Sequence, residues 1–288
     1  MEISLQPCKP TPGRRYDRSP DTRKNDMDGA GFVNAFLETA IAAVESAAVP
    51  IMKYFEGRFE VEIKADMTPV TVADREAEQA IRAVLRQAYP DHGIYGEEFG
   101  ASDQDSDYLW LIDPIDGTKG FVRGYGMFST QLALMHRGEL ILGVSNAPAM
   151  GEMAWASLGE GAWLNGERLQ VSEVNSVRDA SISTGNLASI AASDRWQALG
   201  GILAKANRTR GYGDFYHYHR LAAGQLDGVI ESDVNILDIA ALCMIIREAG
   251  GEFTDLSGNP IGMESTTVLA ATPGLHAVLL ESLGWKSG

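Results

Sequence analysis

Apolar positions in the first part of the chain change repeatedly between helical and strand spacing. Residues 31–55 and about 74–89 repeat apolar side chains every three to four positions, which predicts two amphipathic helices. Shorter apolar runs with strand character cover residues 61–63, 108–112, 128–135, 140–145 and 153–156. Gly138 and Gly151 separate the last three runs, which predicts an antiparallel meander, and 161–166 predicts a strand entering an Asn-Gly turn.

Beyond about residue 175 the patterns of strands and helices alternate. Strand patterns cover residues 180–184, 226–231, 252–254 and 268–271, and helix patterns cover 194–205, 215–223, 238–249 and 273–283. Such alternation is typical of α/β structure. The sequence therefore predicts a mainly antiparallel α+β half over 29–175 and an α/β half over 176–288, with a continuous interface between them.

The first 28 residues differ from the rest of the chain. They are rich in proline and arginine and poor in aliphatic side chains, which predicts a disordered arm over 1–28. A transit peptide is the alternative interpretation. The acidic residues Glu2, Asp17, Asp21 and Asp26 count against it.

Composition and charge exclude several classes of partner. The chain has 288 residues, 45% of them hydrophobic, and Lys+Arg 24 against Asp+Glu 39 give a net charge of −15. Because a surface this acidic does not attract polyanions, we expect no nucleic-acid partner. No uninterrupted run of 18 apolar residues occurs, so we expect no membrane partner. Cys8 in the polar arm and Cys243 in an apolar helix predict no structural disulfide, which fits a cytoplasmic location.

The most informative motif follows the apolar run 108–112: residues 113–118 read Asp-Pro-Ile-Asp-Gly-Thr. Two carboxylates so close to a buried strand are unfavourable unless a cation neutralises them. Glu97, within Gly-Glu-Glu, and Asp238, at the start of a predicted helix, add further hard oxygen ligands of the kind that Mg²⁺ prefers. For any single carboxylate the alternative is a surface group or helix cap, and Asp238 alone would be interpreted as a cap.

The residues after these aspartates suggest where a phosphate binds. Gly117 and Thr118 stand at the start of a predicted helix, where backbone N–H groups bind phosphate well. Asp74 precedes another helix and is either its N-cap or a partner of Thr118 in orienting a metal-activated water; Thr118 itself is alternatively only the helix start. Carboxylates, a divalent ion and a phosphate cradle together predict metal-assisted phosphate-ester hydrolysis.

Other charged residues carry weaker signals. Lys64, near Asp66, would attract phosphate or is simply exposed, and we interpret Lys119 and Arg123 as solvated. His217 and His219, with Asp214, raise the alternative of a zinc site. Residues two apart do not share a helical face, so we do not favour it.

At these motifs the sequence resembles the inositol monophosphatase-like family of Mg²⁺-dependent phosphatases, over about residues 31–284. The markers are Gly-Glu-Glu at 96–98, the block 110–118, and Leu-Asp-Ile-Ala-Ala at 237–241 followed by Glu-Ala-Gly-Gly at 248–251. The family usually has Trp or Tyr where Leu237 stands, but Asp238 is kept. The resemblance implies a layered α/β/α/β/α sandwich, usually assembled as a homodimer.

The resemblance also implies two to three Mg²⁺ ions. One would be held by Glu97, Asp113 and the Ile115 carbonyl. A second would be held by Asp113, Asp116 and Asp238. A third, weaker ion would lie beside Glu97.

The same resemblance implies roles for the residues around the ions. The third ion would also lie near Asp74. The backbone of Gly117 and Thr118 would hold the phosphate. Thr118 and Asp74 would position the attacking water, and with Glu97 they would form the catalytic set.

The segment over 210–218 should face the substrate in this family. Inositol monophosphatases tend to have Gly-Ser-Ala-Ala here and adenosine bisphosphate phosphatases a Gly-Ser-Ser-Leu-Lys-like stretch, whereas this chain has Gly-Asp-Phe-Tyr at 213–216, similar to the histidinol-phosphatase branch. The Asp214 carboxylate suits a cationic amine, unless it only caps the helix starting at Phe215. Glu231 falls where the family contacts the leaving alcohol and would add a second anion.

These observations together predict a histidinol-phosphate phosphatase, which performs the dephosphorylating step of histidine synthesis on a small phosphorylated metabolite. An inositol, sugar or nucleotide monophosphatase with the same machinery is the first alternative. An inactive metal-binding regulatory protein of the same fold is the second.

Overall fold

The structure is a computed structural model that describes residues 30–57, 61–63, 69–103 and 105–284. The predicted arm at 1–28 lies outside the described residues. So do Lys64 and Asp66.

Among the described residues, the N-terminal elements are three helices, two strands that pair only with each other, and eight strands of a large sheet. In chain order they are α1 (Ala30–Glu56), β1 (Val61–Ile63), β2 (Pro69–Thr71), α2 (Val72–Ala88), β3 (Gly93–Gly96), β4 (Gly100–Ser102), β5 (Tyr108–Asp116), α3 (Thr118–Val122), β6 (Ser129–His136), β7 (Glu139–Ala147), β8 (Glu152–Ser157), β9 (Gly161–Leu164) and β10 (Glu167–Arg168).

The C-terminal elements alternate between strands and helices, as the sequence predicts. They are β11 (Ser181–Thr184), α4 (Ala188–Ala191), α5 (Trp196–Leu203), β12 (Arg208–Arg210), α6 (Asp214–Ala222), β13 (Gly228–Ser232), α7 (Ile236–Glu248), β14 (Glu252–Thr254), β15 (Thr267–Ala271) and α8 (Pro273–Leu283).

The larger sheet has the strand order β10-β9-β8-β7-β6-β5-β3-β4. The predicted meander is confirmed, because β5 to β9 pair consecutively and antiparallel, while β3 runs parallel to β5. The predicted end of the strand at Ile112 is wrong. β5 continues to Asp116, with a register shift between Asp113 and Asp116. Its continuation carries both motif aspartates inside the sheet.

The smaller sheet has the order β12-β11-β13-β15-β14. β11 is parallel to β12 and β13, and β15 is antiparallel to β13 and β14, so the C-terminal half is a mixed α/β unit. The division of the chain at residue 175 stays a prediction. Sequence patterns missed the short strands β3, β4, β10 and β12; β12, for example, is fully exposed and has no apolar periodicity to detect.

Helices and sheets stack in five layers. α1 and α2 cover one face of the larger sheet, α6 and α7 lie between the two sheets, and α5 and α8 cover the outer face of the smaller sheet. The predicted α/β/α/β/α sandwich is confirmed. α7 is buried along most of its length, which agrees with an apolar pattern that extends around the whole helix.

α2 shows how pattern determines packing on the outer layer. Its apolar residues recur every four positions, so one face of the helix is buried against α1 and the sheet, while Arg75 and Gln79 stay exposed. The buried apolar positions are Ala73, Ala77, Ile81 and Leu85. Asp74 and Glu78 are buried beside them. Two buried carboxylates on a core-facing helix require partners.

Within the described residues, one stretch, Ala35–Glu56 of α1, is long and apolar enough to cross a membrane by length and composition. Buried core helices of soluble proteins also pass that test. Here the apolar face packs on α2 and the sheet, with Ala40, Ala43 and Val44 completely buried.

Two layers approach each other closely at Gly143 of β7. A Cβ added there would lie 2.5 Å from the carbonyl oxygen of Ala241 in α7, so the helix backbone rests directly on the strand.

We expect Gly143→Ala to destabilise the protein by about 1–3 kcal/mol, because it overpacks this contact. Urea unfolding measures the change. Gly200→Ala, at an exposed helical position with open space around it, should instead be neutral or slightly stabilising. Equal effects of both substitutions would contradict the close approach.

A buried polar chain also connects α6 to the larger sheet. His219 is completely buried, with Nδ1 3.2 Å from Glu152 Oε2 and Nε2 2.9 Å from Ser145 Oγ. Because a carboxylate only accepts, Nδ1 carries the proton and Nε2 accepts from the Ser145 hydroxyl, which accepts in turn from the Gln131 amide at 3.1 Å. Arg220 donates to the same Glu152 oxygen at 2.6 Å. The neutral imidazole is therefore part of the contact between α6 and the larger sheet.

The hydrogen-bonded network around His219 predicts that the stability of the protein depends on pH. Burial lowers the pKa of His219, although Glu152 acts to raise it. As the pH falls, His219 therefore takes up a proton in the unfolded protein before it does so in the folded protein. The contribution of the neutral His219 to the free energy of unfolding is present above about pH 6.5 and is lost as the pH falls below it. We expect the free energy of unfolding of the wild type to fall by up to about 1 kcal/mol more than that of His219→Gln between pH 7.5 and 5.5. The lowered pKa of Glu152 acts in a more acidic range. Parallel stability curves would contradict the prediction.

Candidate active site

Asp113 and Asp116 lie at the end of β5, and an irregularity in that strand brings them together. In a regular strand, residues three apart face opposite sides. The register shift between them re-aims the chain, and both carboxylates line the same cleft. Ile115 N–H donates to Asp113 Oδ1 at 3.0 Å, and the Thr130 hydroxyl donates to the Pro114 carbonyl at 2.8 Å. These bonds hold the irregular segment in place.

Asp238 comes to the same cleft from the first turn of α7. The helix begins at Ile236, not at Asp238 as the sequence pattern predicts, and its N-cap is Asn235. Asn235 N–H donates to Asp238 Oδ2 at 2.9 Å, and Leu237 N–H donates to Asn235 Oδ1 at 2.7 Å, which makes a capping box. The cap interpretation of Asp238 is therefore partly correct, because one carboxylate both takes part in capping and faces the cleft.

The three aspartates form a compact group of oxygen ligands. Asp113, Asp116 and Asp238 each offer a carboxylate oxygen, and these atoms lie within 4.8 Å of one another. Asp116 Oδ2 is buried and has no hydrogen-bond partner among the described residues. An acceptor-only oxygen in such a place requires a donor or a cation. The residues present therefore fit a hard divalent metal ion.

The electrostatics of the group lead to the same conclusion. Burial, followed by the charges of Glu97, Asp116 and Asp238, raises the pKa of Asp113 well above its ordinary value. Burial, followed by Asp214 and Asp238, raises that of Asp116 in the same way. Burial raises the pKa of Asp238 to about 7. Fully ionised, the cluster would be strongly unfavourable, and a divalent cation removes that penalty.

Glu97 and the Ile115 carbonyl, both predicted ligands, line this cleft with the aspartates. Glu97 stands in the turn between β3 and β4. The Ile115 carbonyl accepts from the Thr118 hydroxyl at 2.8 Å, which leaves its second lone pair for another partner. Asp74 is the third residue of α2 and so is not its N-cap. It is buried, and its charge contributes to the raised pKa of Asp113.

Gly117 and Thr118 form the adjoining wall of the cleft. Gly117 has a φ of 86°, in the left-handed region, and a Cβ there would lie 2.7 Å from the Met127 carbonyl oxygen and 3.5 Å from Asp214 Cγ. Both conformation and space therefore require glycine. The backbone at this position lines the cleft beside the Asp214 side chain.

Asp214 lines the cleft of the three aspartates from the C-terminal part of the chain. It is the first residue of α6, and the N-cap position belongs to Gly213, so the simple cap interpretation is wrong. Its φ is 47°, a conformation that aspartate tolerates better than most residues. Burial, followed by the charge of Glu231, raises the pKa of Asp214 to about 6. Its carboxylate lines the cleft.

Glu231 lies deeper than the sequence analysis implies. It is buried on β13 and lines a small chamber behind the cleft, together with Asp214. Its Oε2 accepts from the Tyr218 hydroxyl at 2.7 Å and lies 3.2 Å from His217 Nε2, and its Oε1 accepts from Asn186 N–H at 3.1 Å. Burial acts to raise the pKa of Glu231, but His217 and these hydrogen bonds outweigh it, so the net shift is downward.

His217 and His219 bond to different carboxylates, Glu231 and Glu152, on different sides of α6. This arrangement gives no support to the zinc alternative. It agrees with the argument from helical spacing.

The whole cleft has a volume of about 380 Å³ and opens between the two halves. Lys119 and Arg123 are exposed, as expected, but they also line the cleft, which the sequence analysis did not foresee. Tyr125, 49% exposed, and Asn186 are further lining residues that it missed. Proximity of Lys119, Arg123 and Tyr125 to the aspartate motif was the one available signal. Asn186 had none, because only folding brings the segment after β11 to the site.

Comparisons with known proteins agree with this geometry. The family model described as Inositol monophosphatase family matches residues 33–286. A histidinol-phosphatase of Streptomyces coelicolor is 37% identical over 260 residues, covering 87% of this chain and 97% of that protein. A histidinol-phosphatase of Mycobacterium tuberculosis is 38% identical over 228 residues, covering 77% and 87%. The solved structure of an inositol monophosphatase (IMPase) from Thermotoga maritima has a TM-score of 0.78 at 33% identity, covering 87% and 97%.

The charge cluster predicts opposite effects of one substitution with and without a divalent ion. In a chelator, Asp113→Asn should raise the thermal midpoint, because it removes one of several mutually repelling buried carboxylates. With Mg²⁺ added, the wild type should gain stability and Asp113→Asn should gain less, because binding to the folded state stabilises by mass action. Differential scanning fluorimetry with and without Mg²⁺ measures both. A wild-type midpoint that does not respond to the ion would contradict the prediction.

Proposed function

Because this chain belongs to the inositol monophosphatase family, we propose that it is a Mg²⁺-dependent phosphomonoesterase whose substrate is histidinol phosphate. The family is metal-dependent and acts on small phosphorylated molecules. The observation that carries the proposal is the placement of three aspartate oxygens within 4.8 Å of one another in the cleft that Asp214 also lines.

In this proposal two to three Mg²⁺ ions are held by the predicted ligands, which are Glu97, Asp113, the Ile115 carbonyl, Asp116 and Asp238. When bound, the metal neutralises charge on the phosphate and makes a nearby water more acidic. The carboxylates themselves hold the ions at the end of β5 and the start of α7, where the irregular strand and the capping box limit their movement.

Four residues act on the phosphate and the water in this proposal. The backbone at Gly117 and Thr118 receives phosphate oxygens, since both residues line the cleft. Asp74 and Thr118 orient the water, and the Asp74 carboxylate accepts its proton as the oxygen attacks phosphorus. The phosphorus–oxygen bond to the alcohol then breaks, the departing oxygen takes up a proton from solvent water, and no covalent phosphoenzyme forms. Glu97 completes the catalytic set.

Asp214 supports histidinol phosphate as the substrate. A buried carboxylate with a raised pKa is stabilised in its ionised form by a cationic amine. Glu231 behind it adds negative charge to the same side of the cleft. The Streptomyces and Mycobacterium relatives, which bear the name histidinol-phosphatase, support the same substrate.

An inositol or other sugar or nucleotide monophosphatase is the second candidate, favoured by the similarity to the Thermotoga IMPase structure. An inactive regulatory protein of the same fold is the third. The complete set of carboxylates in the cleft favours an enzyme over the third candidate.

A substrate panel with phosphate detection tests these candidates. Histidinol phosphate, inositol 1-phosphate and a sugar phosphate are compared, each with Mg²⁺ and with chelator. We expect Mg²⁺-dependent release, with the highest kcat/KM on histidinol phosphate. A higher kcat/KM on inositol 1-phosphate would favour the second candidate. If no ester released phosphate, the third candidate would be favoured.

We also propose that the chain is a cytoplasmic homodimer without nucleic-acid or membrane partners. The dimer is supported by the family resemblance, and the absence of nucleic-acid binding by the net charge of −15. Light scattering of the purified protein tests the dimer; a monomer mass would contradict it.

Asp214→Asn should separate recognition of the amine from hydrolysis. We expect kcat/KM for histidinol phosphate to fall by about 10- to 100-fold, the worth of a charged hydrogen bond, while the value for inositol 1-phosphate changes little. Asp233→Asn is the matched control, because Asp233 also has a left-handed conformation, with φ 58°, but does not line the cleft. Equal losses on both substrates would remove Asp214 as the group that binds the amine.

A further inference from the structure

A carboxylate outside the cleft, Glu78 of α2, is completely buried and touches the turn that carries Glu97. We propose that Glu78 is a positioning residue for Glu97 and thereby sets the affinity of the site for its metal ion. The inference rests on the proposed metal site and names the group that keeps one of its ligands in place.

Two hydrogen bonds define the contact. Glu78 Oε2 accepts from the backbone N–H of Glu98 at 2.7 Å, directly after Glu97. Its Oε1 accepts from Arg82 Nε at 2.7 Å, one helical turn further along α2. Both carboxylate oxygens are therefore used, and the buried charge is paired with Arg82, whose side chain is 12% exposed.

Arg82 binds the other side of the same turn. Its Nη2 donates to the Gly100 carbonyl at 2.5 Å, where β4 begins. The ion pair of Glu78 and Arg82 thus holds the turn over 97–99 at both ends. A ligand on a turn fastened in this way loses little freedom when it binds an ion.

The turn is shaped around this carboxylate. A Cβ at Gly96 would lie 2.0 Å from Glu78 Oε1 and 2.5 Å from its Cδ, so only glycine leaves space for it. The Gly-Glu-Glu motif therefore has a structural reason for its glycine. Gly96 admits the carboxylate that fixes the residue after it.

The location of Glu78 on α2 also links it to Asp74. The two residues are four apart and so share one face of the helix, and both are buried. Glu78 fastens the turn of Glu97 to the helix that carries Asp74. Its contact therefore determines how far apart these two carboxylates stand, across the place proposed for the third, weaker ion.

The test measures metal binding directly, with Mn²⁺ as the probe and electron paramagnetic resonance to count the free ion. Mn²⁺ prefers the same oxygen ligands as Mg²⁺. Glu78→Gln keeps the volume but removes the charge that pairs with Arg82. We expect its dissociation constant for Mn²⁺ to rise by about tenfold, as is typical when a group that orients a metal ligand is changed.

Glu76→Gln is the matched control, because Glu76 lies on the same helix but accepts from the Tyr54 hydroxyl of α1 at 2.6 Å. We expect its Mn²⁺ affinity to equal that of the wild type. Gly96→Ala is the second variant, since it displaces the Glu78 carboxylate without removing any charge. It should weaken Mn²⁺ binding as Glu78→Gln does, and it decides the matter alone if Glu78→Gln does not fold.

Thermal unfolding separates positioning from stability. A merely structural role would lower the unfolding midpoint of Glu78→Gln and leave the Mn²⁺ dissociation constant of the folded protein unchanged, and that result would overturn the inference. Equal weakening in Glu76→Gln would overturn it as well. If the wild type binds Mn²⁺ and hydrolyses its substrate in a metal-dependent manner, failure of the inference leaves the proposed function intact. A wild type that binds no ion would overturn both.

Discussion

The repulsion among buried carboxylates between the two sheets is the constraint on which this structure depends. Asp113, Asp116 and Asp238 are brought within 4.8 Å, and burial raises their pKa values. Folding alone gains nothing from such a group. A cation in the cleft would stabilise its ionised form, which is the state that the proposed chemistry requires.

The layered architecture makes this arrangement possible because the site is assembled from the ends of elements. The end of β5, the first turn of α7 and the first residue of α6 meet at one cleft. The interiors of the same elements form the apolar core, and α7 is buried between both sheets. Backbone irregularities then aim the polar groups: a register shift in β5, left-handed conformations at Gly117 and Asp214, and the capping box of α7.

The cleft is lined by charges of both signs, and these charges give the proposed specificity its physical basis. Asp214, with Glu231 behind it, contributes negative charge, whereas the exposed Lys119 and Arg123 contribute positive charge. A substrate with a phosphate and a cationic amine presents opposite charges to these surfaces. The buried residues around the cleft are also bonded: His219 connects α6 to the larger sheet, and Glu78 connects α2 to the turn of Glu97.

The sequence by itself determined the helices and strands with strong periodicity, the alternating second half and, through the motif at 113–118, the chemical type of the site. Those features depend on local spacing and residue type, which a sequence shows directly. Only the tertiary structure decided that β5 continues through Asp116, that Asn235 caps α7, that Glu231 lies behind the cleft and that Lys119 and Arg123 line it. The sequence also does not predict short strands such as β12, or hydrogen bonds such as that of Glu78 with the Glu98 backbone. They depend on contacts between residues far apart in the chain, and such contacts leave no periodic signal in the sequence.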